Sequence, residues 1–199
     1  MMTGINTLDV IVSPSIGEGD GVSDEEPGPS PAGVVVLHDA WRDLHGAVSA
    51  AHEAVNAVHA MVPDLAGGEI AIALASDAEI RALNARFRGQ DKSTNVLSFP
   101  AAALPDTRAD DASGDIVIAY ETLLREAAAE DKSPLHHLAH LTIHGLLHLA
   151  GYDHEDESEA EEMEALERRI LLNLGISDPY RSDSEGNQPP QAVETRECP

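Results

Sequence analysis

Apolar and polar positions follow two different periods in the middle of the chain, between residues 34 and 176. Apolar residues spaced three or four apart predict helices, whereas short apolar runs and strict alternation predict strands. Four segments have the strand pattern, at residues 34–37, 70–74, 96–99 and 115–119. Because helical segments separate most of these strands, we predict an α+β fold in which a small mixed β-sheet packs with helices.

The first two predicted helices lie on either side of the second strand. The first carries one apolar stripe that runs from Trp41 to Met61. The second begins at Ser76 and Glu79, which have the spacing of a capping box. Its apolar stripe ends at Phe87.

Three more helices are predicted after the fourth strand. One covers residues 122–129, and the next starts with Pro134 at its first helical position and ends near Gly151. The last begins with the capping spacing of Ser158 and Glu161. Its inner stripe consists of Met163, Leu166, Ile170 and Leu174.

Two polar segments flank this patterned region and divide the chain into three parts. Residues 1–33 are dense in Gly, Pro, Ser and acidic residues, so we expect a mostly flexible segment in which residues 8–12 can form a first strand. Residues 177–199 have the same character and predict a flexible C-terminal tail. The remaining residues, 34–176, have a length that fits one domain.

Charge is the compositional feature that most restricts function. The chain has 36 acidic and 12 basic residues and a formal net charge of −24. Such a surface repels polyanions, so nucleic-acid binding requires a local concentration of basic residues. Residues 81–92 provide one, since they contain four basic residues and one acid. These are Arg81, Arg86, Arg88 and Lys92, with Asp91 as the acid.

The single cysteine and the shortness of the apolar runs bear on location. Cys198 has no partner for an internal disulfide, which favours a reducing compartment. No apolar run in the sequence approaches the roughly 20 residues of a membrane helix, and the first residues lack the basic start of a secretory signal. We therefore expect a cytoplasmic protein.

The candidate chemistry lies in the segment HGLLHLAGYDH, residues 144–154. His144 and His148 are four residues apart, so on a helix they lie on one face and can bind one ion. Gly151 allows the chain to turn back after the helix, which brings His154 to the same place. Three histidine ligands and an open fourth position predict a catalytic zinc site with one ion per chain.

Two polar residues close to this segment are candidate partners of the ligands. His140 lies one helical turn before His144 and is either such a partner or a packed side chain. Asp153 adjoins His154 and can orient a ligand.

Two further groups of residues are expected to face solvent. One is formed by the other acids between residues 153 and 167, which are interpreted as a solvated helix face. The second consists of His136 and His137, at the start of the fourth helix.

The histidine spacing also matches the zinc-peptidase motif HExxHxxGxxH, including the glycine at Gly151. In that motif a Glu follows the first histidine and acts as the general base. Gly145 stands at that position here. The metal ligands are therefore preserved, whereas peptidase activity is disfavoured.

The segment at residues 144–154 resembles the signature of the YbeY family of bacterial endoribonucleases, which mature ribosomal RNA. The resemblance extends to FRG at residues 87–89, DKSTNVLSFP at residues 91–100 and GDIVI at residues 114–118. It covers about residues 69–175. The chain departs from the family pattern in its acidic flanking segments and in a serine within DKST, where proline is common.

The resemblance implies zinc ligands at His144, His148 and His154 and a functional arginine at Arg88. An arginine suits a phosphate clamp because its guanidinium can bind two phosphate oxygens at once. The alternative is a surface ion pair between Arg88 and Asp91.

The implied activity is that of a single-strand-specific, metal-dependent endoribonuclease. It would act in ribosomal RNA maturation, at the 3′ end of the 16S rRNA, and in ribosome quality control, with the small ribosomal subunit or its associated proteins as partners. The nucleophile is either hydroxide formed at the metal or the RNA 2′-hydroxyl. Because the surface is acidic and no general base is evident, the alternative is a ribosome-assembly or binding factor with a mainly structural metal and negligible nuclease activity.

Overall fold

The computed structural model describes residues 32–63, 65, 69–100, 114–154 and 156–178. The strand predicted at residues 8–12 and the tail from residue 179 onwards lie outside the described residues. The first described strand begins at Ala32, two residues before the predicted start of the domain.

The described strands form one four-stranded sheet. They are β1 (Ala32–Val36), β2 (Ile70–Ala75), β3 (Val96–Pro100) and β4 (Gly114–Ala119), in the order β1-β2-β4-β3. β1, β2 and β4 run parallel, whereas β3 pairs antiparallel with β4. The sheet is therefore mixed, and the predicted α+β fold is confirmed.

Five α-helices accompany the sheet in the described part of the chain. They are α1 (Ala47–Met61), α2 (Asp77–Arg88), α3 (Tyr120–Ala129), α4 (Pro134–Leu149) and α5 (Glu157–Asn173). A short 3₁₀ helix, Asp39–Asp43, precedes α1. None of the described helices combines the length and the apolar character needed to cross a bilayer.

The prediction of one continuous helix from Trp41 to Met61 is wrong. The chain breaks at Gly46, whose φ of 90° is a left-handed conformation that favours glycine. Before this break, Trp41 is buried and donates a hydrogen bond from its indole Nε1 to the Ala75 carbonyl (2.9 Å). The tryptophan is thus attached to the sheet, and α1 begins only at Ala47.

Two helix starts illustrate local capping. The capping box of α2 is confirmed, because the Ser76 hydroxyl accepts from the Glu79 N–H (3.3 Å) and the Glu79 carboxylate accepts from the Ser76 N–H (2.7 Å). The cap predicted at Ser158 is wrong. The side chain of Asp156 caps α5 instead, by accepting a hydrogen bond from the Glu159 N–H (2.9 Å).

The two faces of the sheet pack against different helices. One face lies against α1, α4 and α5, and its residues in β2 and β4 are Ile72, Leu74, Ile116 and Ile118. The other face consists of Ala73, Ala75, Val117 and Ala119, which Ile80 and Leu83 of α2 cover. Phe87, predicted on the same stripe of α2, is instead 43% exposed. α4 contacts β3, β4, α1, α3 and α5, and these neighbours fix its histidine-bearing end beside β3.

Candidate metal centre

α4 carries two of the predicted ligands near its C-terminal end, and the turn that follows supplies the third. The helix ends at Leu149, and Gly151 then adopts a left-handed φ of 87°. The backbone N–H of Tyr152 donates back to the Leu147 carbonyl (3.0 Å) and closes the turn. The chain therefore reverses within a few residues, and His154 arrives beside the helix.

His144, His148 and His154 form one cluster. Each histidine offers one ring nitrogen, and these three nitrogens all lie within 4.8 Å of one another. The Nε2 atoms of His144 and His148 are 3.1 Å apart, and the ring of His154 is centred 5.8 Å from that of His144 and 5.1 Å from that of His148. The structure thus brings together the three histidines singled out from the sequence, and His154 is the exposed member of the three.

Hydrogen bonds on the far side of two imidazoles determine where their protons lie. His148 Nδ1 is 3.0 Å from the Tyr152 carbonyl oxygen, which only accepts, so this nitrogen carries the proton. His144 Nδ1 is 2.7 Å from Oε1 of the Glu167 carboxylate, an acceptor when ionised. When His144 and His148 are neutral, the Nε2 atom of each ring is therefore unprotonated. The lone pairs of these two nitrogens point toward each other.

This arrangement fits a bound metal ion. Two unprotonated nitrogens 3.1 Å apart repel each other unless a cation lies between them. Two nitrogen ligands at about 2.0–2.1 Å from a tetrahedral zinc ion would be separated by about 3.3 Å, which is close to the observed separation. The donor set and its spacing are therefore those of a first-row metal site.

The electrostatics of His148 also favour its neutral form. Burial lowers its pKa below the ordinary value of 6.5, and the neighbouring rings of His144 and His154 lower it further. The Tyr152 carbonyl and Asp153 act in the opposite direction. The net decrease keeps the ring neutral near pH 7, so that its nitrogen is available as a ligand.

Gly145, which stands where the zinc-peptidase motif has its glutamate, lies at a tightly packed position. A Cβ atom at this position would lie 3.0 Å from Ile116 Cγ2 and 3.1 Å from Ser98 Oγ. The Ser98 hydroxyl also donates a hydrogen bond to the Gly145 carbonyl (3.2 Å). α4 is thus packed closely against β3 and β4, and any side chain at position 145 would require Ile116, Ser98 or α4 to shift.

A cleft of about 500 Å³ lies over the cluster. Its walls come from α4 and the turn after it, from Arg88 at the end of α2, and from residues 94–100 in and before β3. Arg88 donates a hydrogen bond from Nη2 to the Ser98 carbonyl (3.4 Å). The predicted arginine and the three histidines therefore line the same cleft. Thr94, Asn95 and Ser98 also line it. They lie in the segment DKSTNVLSFP that carries the family resemblance, but they were not predicted as site residues.

Asp91 is paired with a different arginine from the one considered in the sequence. Arg81 donates two hydrogen bonds to its carboxylate, from Nε (2.6 Å) and Nη2 (2.9 Å). This pairing lowers the pKa of Asp91 below its ordinary value. Among the described residues, an ion pair between Arg88 and Asp91 is not found, whereas the charge of Arg81 is locally balanced.

The structure gives the hydrogen-bond partners of three polar residues around the cluster. The prediction that His137 faces solvent is wrong: it is 5% exposed, and its Nε2 lies 2.9 Å from Oε2 of Glu126 in α3. His140 lies 3.4 Å from Oε2 of Glu167, so its observed partner is a carboxylate. The Asp153 carboxylate accepts from the backbone N–H of the next residue (2.8 Å), and within the described residues no hydrogen bond joins it to an imidazole.

Glu167 is the site residue that the sequence patterns missed. It was grouped with the acids of a solvated helix face, but its side chain is 0% exposed and contacts His144. A signal was present in the sequence, since Glu167 follows Met163 by four residues and precedes Ile170 by three. That spacing places it on the inner stripe of α5.

An α+β fold with an open three-histidine cluster and an arginine in one cleft is typical of a metal-dependent hydrolase. A family model described as Endoribonuclease YbeY matches residues 39–175. The chain belongs to the YbeY family of endoribonucleases, and the resemblance noted in the sequence is confirmed.

Two curated relatives agree with this assignment. Endoribonuclease YbeY of Azorhizobium caulinodans is 53% identical over 157 residues, which are 77% of this chain and 98% of that protein. Endoribonuclease YbeY of Nitrobacter hamburgensis is 57% identical over 154 residues, 74% of this chain and 80% of that protein. The solution structure of TM1509 from Thermotoga maritima is 25% identical, covers 79% of this chain and 99% of that one, and superposes with a TM-score of 0.46.

Proposed function

We propose that this endoribonuclease is zinc-dependent and cuts single-stranded ribosomal RNA, at the 3′ end of the 16S rRNA. The observation that carries the proposal is the pair of facing Nε2 atoms of His144 and His148, 3.1 Å apart. A cation between them relieves their repulsion, and a set of imidazole ligands suits zinc. Membership of the YbeY family supports RNA as the substrate.

The number of ligands supports a catalytic rather than a structural metal. Structural zinc sites are closed by four protein ligands, whereas catalytic sites have three and an open position. The cluster has three members among the described residues, and the exposed His154 leaves it accessible from the cleft. Bound there, zinc would act as a Lewis acid toward a phosphoryl oxygen, and the nucleophile would be either water activated at the ion or the RNA 2′-hydroxyl.

Arg88 supplies the positive charge that holds the phosphate. A guanidinium has five N–H donors, and in the described structure Arg88 uses one for the 3.4 Å bond to the Ser98 carbonyl. The others are available to bind two phosphate oxygens in the cleft. Arg88 thereby positions the scissile phosphate and stabilises the charge that develops on it.

The acidic surface restricts how RNA reaches this cleft. The net charge of −24 repels long polyanions, and the charge of Arg81 is balanced by Asp91. Binding of free RNA should therefore be weak and strongly dependent on salt. We propose that the small ribosomal subunit, or a protein bound to it, presents the single-stranded segment in the cytoplasm.

The test compares cleavage of one short single-stranded RNA by the wild type, Arg88→Lys and Arg42→Lys at equal zinc loading. Lysine keeps the positive charge but loses the planar fork that binds two oxygens. Arg42 is a matched control, since it is an exposed arginine of the 3₁₀ helix paired with Asp39 (3.4 Å).

Arg88→Lys should lower turnover roughly ten- to a thousandfold, the range for one electrostatic contact to the transition state. Zinc content and melting temperature should not change, and Arg42→Lys should behave as the wild type. Chelation should abolish cleavage by all three proteins. Equal turnover of Arg88→Lys and the wild type would remove Arg88 from the site, and cleavage that persists without metal would contradict zinc dependence.

A further inference from the structure

Glu167 is a buried acid in the most acidic part of the molecule. Nine of the 15 residues from 153 to 167 are acidic, yet the side chain of Glu167 is 0% exposed. Removing a carboxylate from water is costly unless it is hydrogen-bonded to donors of suitable charge. The position of Glu167 therefore needs partners that compensate for this cost.

Both carboxylate oxygens of Glu167 lie against histidines of α4. Oε1 is 2.7 Å from Nδ1 of His144, and Oε2 is 3.4 Å from Nε2 of His140. The shorter distance is in the range of a strong hydrogen bond to a charged acceptor. Glu167 thus connects α5 to the side of a metal ligand that faces away from the cluster.

The other ligand of α4 is supported by a neutral group. His148 Nδ1 donates to the Tyr152 carbonyl at 3.0 Å, a partner supplied by the backbone. Of the two helical ligands, only His144 is hydrogen-bonded to a side-chain carboxylate. A substitution can remove this carboxylate without changing the main chain. The two helical ligands therefore differ in how they can be tested.

We infer that Glu167 is a positioning residue for the metal: it accepts the Nδ1 proton of His144 and so directs the Nε2 lone pair into the cluster. This inference rests on the proposed metal site at His144, His148 and His154. A carboxylate behind a metal-bound imidazole fixes the ring's tautomer and orientation and strengthens its electron donation. Loss of such a partner typically lowers metal affinity about 10- to 100-fold.

A purely structural role for Glu167 would be to join α4 and α5 through hydrogen bonds. The substitution Glu167→Gln separates the two roles, because glutamine keeps the shape and one oxygen acceptor but removes the charge. Its amide can also donate to His144 and so favour the tautomer with the proton on Nε2, which cannot bind the metal through that atom. Glu164→Gln is the matched control, since Glu164 lies one turn earlier on α5, is 41% exposed and pairs with Arg168 (3.6 Å).

The experiment measures zinc affinity by competition with a chelator, and melting temperature without metal, for the wild type, Glu167→Gln and Glu164→Gln. We expect Glu167→Gln to bind zinc about 10- to 100-fold more weakly and Glu164→Gln to match the wild type. Without metal, Glu167→Gln should melt within a few degrees of the wild type. Folded Glu167→Gln with wild-type zinc affinity would overturn the inference and leave the proposed metal site intact.

A second measurement does not depend on the variant folding. Nitrogen-15 NMR of the metal-free wild type should show the proton of His144 on Nδ1, and folded Glu167→Gln should shift this population toward Nε2. A wild-type proton on Nε2 would overturn the inference. If the wild type binds no zinc at all, the proposed metal site itself fails.

Discussion

Gly145→Ala should destabilise the protein, although alanine is the better helix former. The Cβ atom introduced in α4 would lie 3.0 Å from Ile116 Cγ2, 3.1 Å from Ser98 Oγ and 3.2 Å from Ile116 Cδ1. Ile116 is 0% exposed within β4, so its side chain is enclosed by other core residues. Either α4 or Ile116 must shift by a few tenths of an ångström, and interiors at crystalline packing density resist such shifts.

Two contributions of opposite sign determine the magnitude. Replacing glycine by alanine in a helix interior stabilises by roughly 1 kcal/mol. Inserting a methyl group into a well-packed core costs roughly 1–3 kcal/mol. We expect the packing cost to exceed the helix gain, with a net loss of up to about 2 kcal/mol, or up to about 8 °C in melting temperature for a chain of this size.

The assay is thermal unfolding of the metal-free protein for Gly145→Ala, Ile116→Val and the double variant. Valine at position 116 lacks Cδ1, the atom at 3.2 Å, so the added methyl group should cost less in that background. The two substitutions should therefore be coupled by at least about 0.5 kcal/mol. A Gly145→Ala protein more stable than the wild type, or an equal cost in both backgrounds, would refute the packing argument.

Two further predictions concern single histidines. About one zinc per chain should co-purify with the wild type but not with His148→Ala. The control is His136→Ala, which removes an exposed histidine of the same helix and should keep the zinc. Full zinc content in His148→Ala would exclude His148 as a ligand. Burial lowers the pKa of His59 below 6.5 in the folded state. Between that lowered pKa and 6.5, the unfolded state binds more protons than the folded state, so the free energy of unfolding falls as the pH decreases through this range. Metal-free His59→Leu should lose less stability than the wild type between about pH 7.5 and 5.5 in urea unfolding, and an equal loss would contradict this role.

Features encoded within a few residues were predictable from the sequence. The capping box at Ser76, the four strands and the helix from Pro134 all depend on local spacing and turn chemistry. The histidine cluster was predictable for the same reason, because helical geometry and Gly151 alone bring its members together.

Features that depend on packing between distant segments were not predictable. The break at Gly46 follows from the attachment of Trp41 to β2, through a bond to a residue 34 positions away. Likewise, His137 is buried because Glu126 of α3 faces it, and Glu167 is buried because α5 lies against α4. A pattern of polar residues on a helix indicates which face is polar, but not which neighbour covers it.

The three histidines of the cluster are held by different parts of the fold. Two lie on α4, which is enclosed by the sheet and three other helices, whereas His154 is exposed and follows the turn at Gly151. Rotation about the backbone of residues 151–153 would move His154 relative to the cluster without requiring α4 to unpack. Exchange of an ion at the proposed site would then require only local opening of this short stretch and not unfolding of the domain. A metal ion at the proposed site would therefore be able to enter after α4 has packed into the domain.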